Sequence, residues 1–419
     1  MKFDTLDALE TRDPFDRERD LMARLPQLIA RAQQAPGWAR ILDGVDARAV
    51  TSRAALAALR VTRKSDLKTL QQGQLPFGGL NATPARQLRH VYVSPGPIYD
   101  PEGQGQDWWR FARPMYAAGV RAGGLLQNCF SYHFTPAAYM VEGGAARIGC
   151  AVIPAGSGQT EMQVQAMVDL RPDTYVGTPS FLRIIIEKAQ AMGADISSVK
   201  HALMGAEALP ESLRAWFRDN GVPHVFQTYA SADMGSVAFE TATAGVLNPG
   251  MVVDEDAIVE IVRPGSGEPV EPGDIGEIVV TLFNQDYPLI RFATGDMSAL
   301  LVDAPASACG RTNMRIRGWL GRADQTTKVR AMFVHPAQVV NIVRRHPAIL
   351  KARLVVTGRM ANDVMTLHCE VAQPLPPDAL EAIVASIRDV TKLRGEVKLE
   401  APGALPDDGK VIEDRRDYS

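Results

Sequence analysis

Residues 173–207, DTYVGTPSFLRIIIEKAQAMGADISSVKHALMGAE, set two short apolar runs, DTYVGTP (173–179) and KHALMGAE (200–207), on either side of an amphipathic stretch over 179–192. An apolar run, a Pro-started helix, a Gly break and a second apolar run make the rhythm of a β-α-β unit, whose two strands lie parallel in one sheet. The rhythm extends outward in both directions. Upstream come HVYVS (90–94) and ARIGCAVIPAG (146–156), and downstream HVFQTYA (224–230), with further helix candidates over about 106–122, 159–170 and 210–220. A mainly parallel sheet covered by helices is expected, with catalytic groups at its strand ends.

The flanks have other textures. Roughly the first 70 residues read as helical, with Leu21, Leu25, Leu28, Ile29 and Ala32 at helical spacing and a break at Pro36-Gly37. Beyond about residue 250, AIVEIV, GEIVVTLF and PLIRF are separated by the turn clusters RPGSGEPVEPGD and NQDYP, the pattern of short antiparallel strands. A last segment holds the strand-like RLVVTG and MTLHCEV and the helix-like ALEAIVASIRDVTKL. The expected class is α/β. A large N-terminal domain over 1–322 combines parallel sheets covered by helices with a β-rich lobe, and a small α+β domain occupies 323–419.

The chain has 419 residues, 46% hydrophobic and 22% charged, which excludes collagen-like and wholly disordered classes. Lys plus Arg is 45 and Asp plus Glu is 48, so a net charge of −3 makes no case for nucleic acid or a membrane surface. No stretch approaches the roughly 18 apolar residues that span a bilayer. The first residues, MKFDTLDALETRDPFDRERD, are acidic and hold no apolar region, so a cytoplasmic protein is expected. Cys129, Cys150, Cys309 and Cys369 lie far apart with no zinc-ligand spacing, and read as reduced thiols.

Several segments, in order, carry a family resemblance: SGQTEMQVQ (157–165), TPSF (178–181), MGAEALPESLR (204–214), TYASADMG (228–235), PLIRFATGDMS (288–298), CGRTNMRIRGWLGRADQ (309–325), VRAMFVHPAQV (329–339) and a late DGK. The chain resembles an adenylate-forming acyl-CoA ligase of the ANL superfamily, closest to the phenylacetate-CoA ligase group. The resemblance implies two half-reactions. A carboxylate first attacks the α-phosphorus of ATP, giving an acyl-adenylate and pyrophosphate; the CoA thiol then takes the acyl group after the small, mobile C-terminal domain rotates. ATP, Mg²⁺ and coenzyme A are the implied cofactors and a small carboxylic acid the remaining partner; a homodimer is left open.

The resemblance also implies roles, each with a plainer structural alternative. Asp296 falls at the ribose-binding aspartate, since a carboxylate accepts bonds from both hydroxyls; the alternative is a turn-capping acid. Gly205, Ala206 and Glu207 fall where adenine lies on the backbone; the alternative is a β-α turn with a helix-capping acid. In TYASADMG, Tyr229 would stack on adenine, with Ala230 and Ser231 lining the nucleotide and Asp233 holding Mg²⁺ as catalytic acid. Asp233 replaces a glutamate and Ala232 a hydroxyl residue, which leaves the α-phosphate contact open. Arg322 is a nucleotide-binding position and Asp324 the hinge, or else a solvent-facing turn. Lys410 is the adenylation lysine, or a lysine of an exposed tail.

The largest departure is the phosphate loop. Where the family has a Ser/Thr/Gly-rich loop with a lysine, this chain reads VSPGPIYDPEG (93–103). Ser94 remains as a nucleotide contact, but Pro95, Pro97 and Pro101 have no N–H to donate, and Asp100 and Glu102 would repel a triphosphate. Three explanations stay open: a working variant using Arg113, Arg121 or Lys328; a weak or inactive nucleotide- or acyl-CoA-binding paralogue; or use of a preformed acyl-adenylate. In LLQNCFSYHFTPAAYM (125–140), the residues Phe130, Tyr132, His133, Phe134 and Tyr139 fall where the family lines its acyl site, suiting an aryl or arylacetic acid, with core aromatics as the alternative.

Overall fold

The computed structural model describes residues 4–94, 97–323, 325, 327–330, 332–358, 362–406 and 410–416. The chain divides into two compact units, Met1–Gly321 and Arg322–Ser419. An eight-stranded sheet runs through the first. Its parallel part holds Ala151–Ile153, Leu125–Asn128, Thr174–Gly177, His201–Met204 and His224–Ser231 in that spatial order; Gly235–Phe239, Met251–Val253 and Arg315–Ile316 extend it antiparallel. Helices Ala137–Ile148, Thr160–Leu170, Pro179–Met192 and Glu211–Asp219 make the crossovers. Strand Thr174–Gly177 is buried along its whole length, as a strand covered on both faces requires.

After Leu125–Asn128 the chain goes first to one neighbour, Ala151–Ile153, and then to the other, Thr174–Gly177. The order of strands reverses there, which opens a crevice at their carboxyl ends. A second sheet holds Ala257–Val262, Gly276–Leu282 and Leu289–Ser298 in antiparallel order, with the two-residue strand Thr62–Arg63 added in parallel at its edge. Helix Pro14–Ala32 starts at Asp13, whose carboxylate accepts from the N–H groups of Phe15 and Asp16. Its buried Leu21, Leu25, Leu28, Ile29 and Ala32 share one apolar core with Ile258, Ile278, Val280 and Leu289. In the second unit, Glu396–Glu400, Val364–Val371, Ile349–Thr357 and Ile412–Asp414 form a sheet with helices Pro336–Arg345 and Pro377–Thr391.

Three expectations are corrected. HVYVS does not join the parallel sheet; His90–Ser94 pairs antiparallel with Ile98–Glu102 as a separate hairpin, in which Pro101, unable to donate, is tolerated because it sits on an edge strand. The helix expected over 106–122 shrinks to Ala112–Ala117. Asp107 and Arg110 take positive φ, 48° and 59°, and the Asp107 carboxylate accepts from the N–H groups of Phe111 and Ala112, so the helix cannot start earlier. The parallel sheet instead includes Leu125–Asn128, hidden from the sequence reading inside a stretch assigned to substrate. Cys129 and Cys369 are buried, and all four thiols are free. Among the described residues no helix is long and apolar enough to cross a membrane.

Candidate functional site

Thr62 pairs with Phe292 and Arg63 with Ala293, after which the chain turns through the short 3-10 helix Lys64–Asp66. Lys64 is thereby delivered beside Thr294–Asp296, the segment that follows PLIRF. The Asp296 N–H donates to Thr294 Oγ1 at 3.0 Å. Its carboxylate is held at both oxygens: Oδ2 accepts from the Tyr229 hydroxyl at 2.9 Å and Oδ1 from Trp319 Nε1 at 3.0 Å. The two sheets meet at this carboxylate, since Tyr229 belongs to the eight-stranded one.

Asp233 lies in the tight turn between His224–Ser231 and Gly235–Phe239 and is 3% exposed. Its Oδ2 accepts from Lys64 Nζ and, at 3.2 Å, from the Ser231 hydroxyl, while Oδ1 is buried with no partner among the described residues. Asp100, in the second strand of the hairpin and 1% exposed, also keeps a buried Oδ2 without a partner among the described residues. Burial, then the Asp233 charge, raises the Asp100 pKa well above the usual carboxylate range, against the opposing pull of Lys64 and a hydrogen bond from Ser94. For Lys64, burial acts to lower the pKa, but Asp233, Asp100 and Asp296 together outweigh it and hold the ammonium above its ordinary range.

Two orphaned hard oxygens suit Mg²⁺, which binds through one or two carboxylates and completes its shell with water and phosphate. Among the described residues no group of three or more His, Cys, Asp or Glu side chains forms a fuller cage. The turn itself is braced from behind. Arg110 Nη2 donates to the carbonyls of Met234 and Ser236, and the Ser236 N–H donates to Trp109 O at 3.0 Å.

MGAE follows strand His201–Met204. Gly205 is buried, and a Cβ there would stand 3.4 Å from Phe130 Cζ, so that ring already lies against the Gly205 backbone. Ala206 is exposed with φ +65°. The Glu207 carboxylate accepts from Ser180 N–H at 3.2 Å, capping helix Pro179–Met192 rather than its own. Tyr132 and Tyr139 join a hydrogen-bonded aromatic cluster. The Tyr132 hydroxyl donates to Glu142 at 2.6 Å, and the Tyr139 ring lies 5.0 Å from His90, 5.3 Å from Tyr92 and 5.6 Å from Tyr132. His133 and Phe134 are exposed and do not enter this cluster.

The cations offered as loop substitutes are engaged elsewhere. Arg113, 3% exposed, bonds Asp254 and Asp7, each at 3.1 Å, and Arg121 stacks 3.8 Å over the Tyr116 ring and pairs with Asp4. The Lys328 side chain and Asp324 lie outside the described residues, as do Pro95 and Gly96. Arg322 and Lys410 belong to the second unit, where Lys410 is exposed, two residues before Ile412–Asp414. Lys64 and Trp319 were missed by sequence reasoning, and Asp100 was read only as a source of repulsion. A lysine in VTRKSDL carries no local signal, because its ion-pair partner Asp233 is 169 residues away and the strand Leu289–Ser298 beside it is farther still.

A family model described as "AMP-binding enzyme" matches residues 125–282. The phenylacetate-coenzyme A ligase of Aromatoleum evansii is 30% identical over 355 residues, covering 81% of this chain and 78% of that protein. Its counterpart in Thermus thermophilus is 28% identical over 416 residues, covering 91% and 92%. Among solved structures, a 2-hydroxyisobutyryl-CoA ligase in complex with 2-HIB-AMP and CoA superposes with a TM-score of 0.81, at 23% identity over 98% of this chain and 92% of that one, which establishes the shared fold.

Proposed function

The chain belongs to the adenylate-forming acyl-CoA ligases, in the phenylacetate-CoA ligase group, and from that premise we propose that the acid it activates is aromatic, an aryl or arylacetic carboxylate. The enzyme is an AMP-forming acyl-CoA ligase whose substrates are ATP, CoA and a small carboxylic acid. The observation that carries the proposed nucleotide site is the convergence of Asp296, Tyr229, Asp233 and Lys64 where the two sheets meet.

In this reading Asp296 receives the ribose hydroxyls, with Tyr229 and Trp319 fixing the orientation of its carboxylate. Ser94, Gly205, Ala206, Glu207, Ala230, Ser231 and Arg322 are the remaining proposed nucleotide positions. Asp233, assisted by Asp100, would hold Mg²⁺, which supplies charge neutralisation at the phosphates. Attack by the acid's carboxylate forms an O–P bond at the α-phosphorus and breaks the bond to pyrophosphate, which leaves with the electron pair. Lys410 is proposed as a cation of that step, at the transferring phosphoryl and carboxylate oxygens, Asp324 as the hinge, and a domain division at 322/323 as the boundary between the two roles.

The aromatic preference is supported by the phenylacetate ligases named above and by Phe130 against Gly205, with Tyr132 and Tyr139 nearby in sequence. Pyrophosphate release with ATP, CoA and matched panels of aryl and aliphatic acids tests it. Arylacetic or aryl acids are expected to exceed aliphatic acids of similar size by at least about tenfold in kcat/KM, as a flat apolar slot discriminates. The reverse order would remove the aromatic assignment and leave the ligase.

A further inference from the structure

We propose that Lys64 is the phosphate-contacting cation of adenylation, a catalytic residue supplied from outside the phosphate hairpin. The proposal rests on the adenylation reading and deepens it. The hairpin ladder runs in register from His90 opposite Glu102 to Ser94 opposite Ile98, so only residues 95–97 connect its strands. Two of those three are prolines and none is a lysine, so the connection lacks the hydroxyls and ammonium that a triphosphate needs.

Lys64 meets that need on three counts. The pairing of Arg63 with Ala293 sets it beside the proposed ribose carboxylate, at the nucleotide end of the site. Its ammonium has three N–H donors and spends one on Asp233, leaving two for a ligand, and its side chain is about one-third exposed at 33%. The other arginines near the turn are already engaged: Arg110 by Met234 O, Ser236 O and Asp254, and Arg113 by Asp254 and Asp7. A compact ammonium on a flexible stem suits pyrophosphate oxygens, on which negative charge grows as the bond to the α-phosphorus breaks.

A purely structural Lys64, present only to neutralise Asp233, makes a different forecast, because its loss would disturb AMP and ATP alike. Calorimetry on the full-length wild type and Lys64→Gln, in Mg²⁺ buffer with ATP, pyrophosphate and AMP, separates the two. Lys64→Gln is expected to weaken ATP and pyrophosphate at least about tenfold while AMP stays within about threefold, the scale of a lost charge-assisted bond. In ATP–pyrophosphate exchange the same variant is expected to fall by about 10²–10³.

Wild-type protein supplies a second measurement that does not depend on how the variant folds. Acetylation of Lys64, followed by mass spectrometry, is expected to slow severalfold with ATP or pyrophosphate and not with AMP. Equal weakening of ATP and AMP by Lys64→Gln, or absence of protection by both phosphate ligands, overturns the proposal. If wild type exchanges pyrophosphate with no acid while ATP still protects Lys64, the adenylation reading fails and the Lys64 contact stands.

Discussion

Asp296 shows how much one residue letter can carry and where it stops. Its place in ATGD marks it as an acceptor for two hydroxyls, but only the folded chain reveals Tyr229 and Trp319 donating to its two oxygens. Held in this way, the carboxylate loses little freedom on binding, which is the advantage of a pre-oriented group. Asp296→Ala is expected to weaken AMP by roughly 10–100-fold, since hydrogen bonds to a charged group contribute about 1.5–3 kcal/mol. Calorimetry checks this, and a change under threefold would exclude the ribose role. Asp100 is the opposite case. Counted as a charge it repels ATP; burial beside Asp233 raises its pKa, a shift no sequence count reports.

At the scale of elements, two turns set the site. One is the three-residue connection of the 90–102 hairpin, whose brevity follows from the in-register ladder and moves the search for a phosphate cation to another segment. The other is the turn at Asp233, closed by Gly235 at φ +69°. A Cβ at Gly235 would stand 2.5 Å from the Trp109 carbonyl oxygen, a backbone atom that cannot rotate away. Gly235→Ala is therefore expected to lower the thermal midpoint, with about 1–2 kcal/mol from the left-handed backbone alone and more from the overlap. Unchanged thermal unfolding would show that the turn relaxes freely. The shortened 112–117 helix belongs to the same lesson: Asp107 and Arg110 break a periodicity that looked continuous because capping competes with helix extension.

For the whole molecule, the division into Met1–Gly321 and Arg322–Ser419 puts Lys410 in a different unit from Asp296 and Asp233. If Lys410 serves adenylation alone, Lys410→Ala should lose pyrophosphate exchange by about 10²–10³ while thioester formation from supplied acyl-adenylate stays within a few-fold. Stopped assays of each half-reaction measure the two separately, and equal loss in both would remove the assignment.

The sequence by itself determined the β-α rhythm, the antiparallel texture after residue 250 and the ordered motifs that identify the family. These are local patterns of period and turn chemistry, legible because each depends on residues within a few positions of one another. The tertiary structure alone decided that HVYVS leaves the main sheet, that Leu125–Asn128 enters it, and that Lys64 pairs with Asp233 within reach of the Asp296 charge. Strand pairing sets those relations across long stretches of chain. Its hydrogen bonds join backbone to backbone, so the side-chain letters carry little record of which strands will meet.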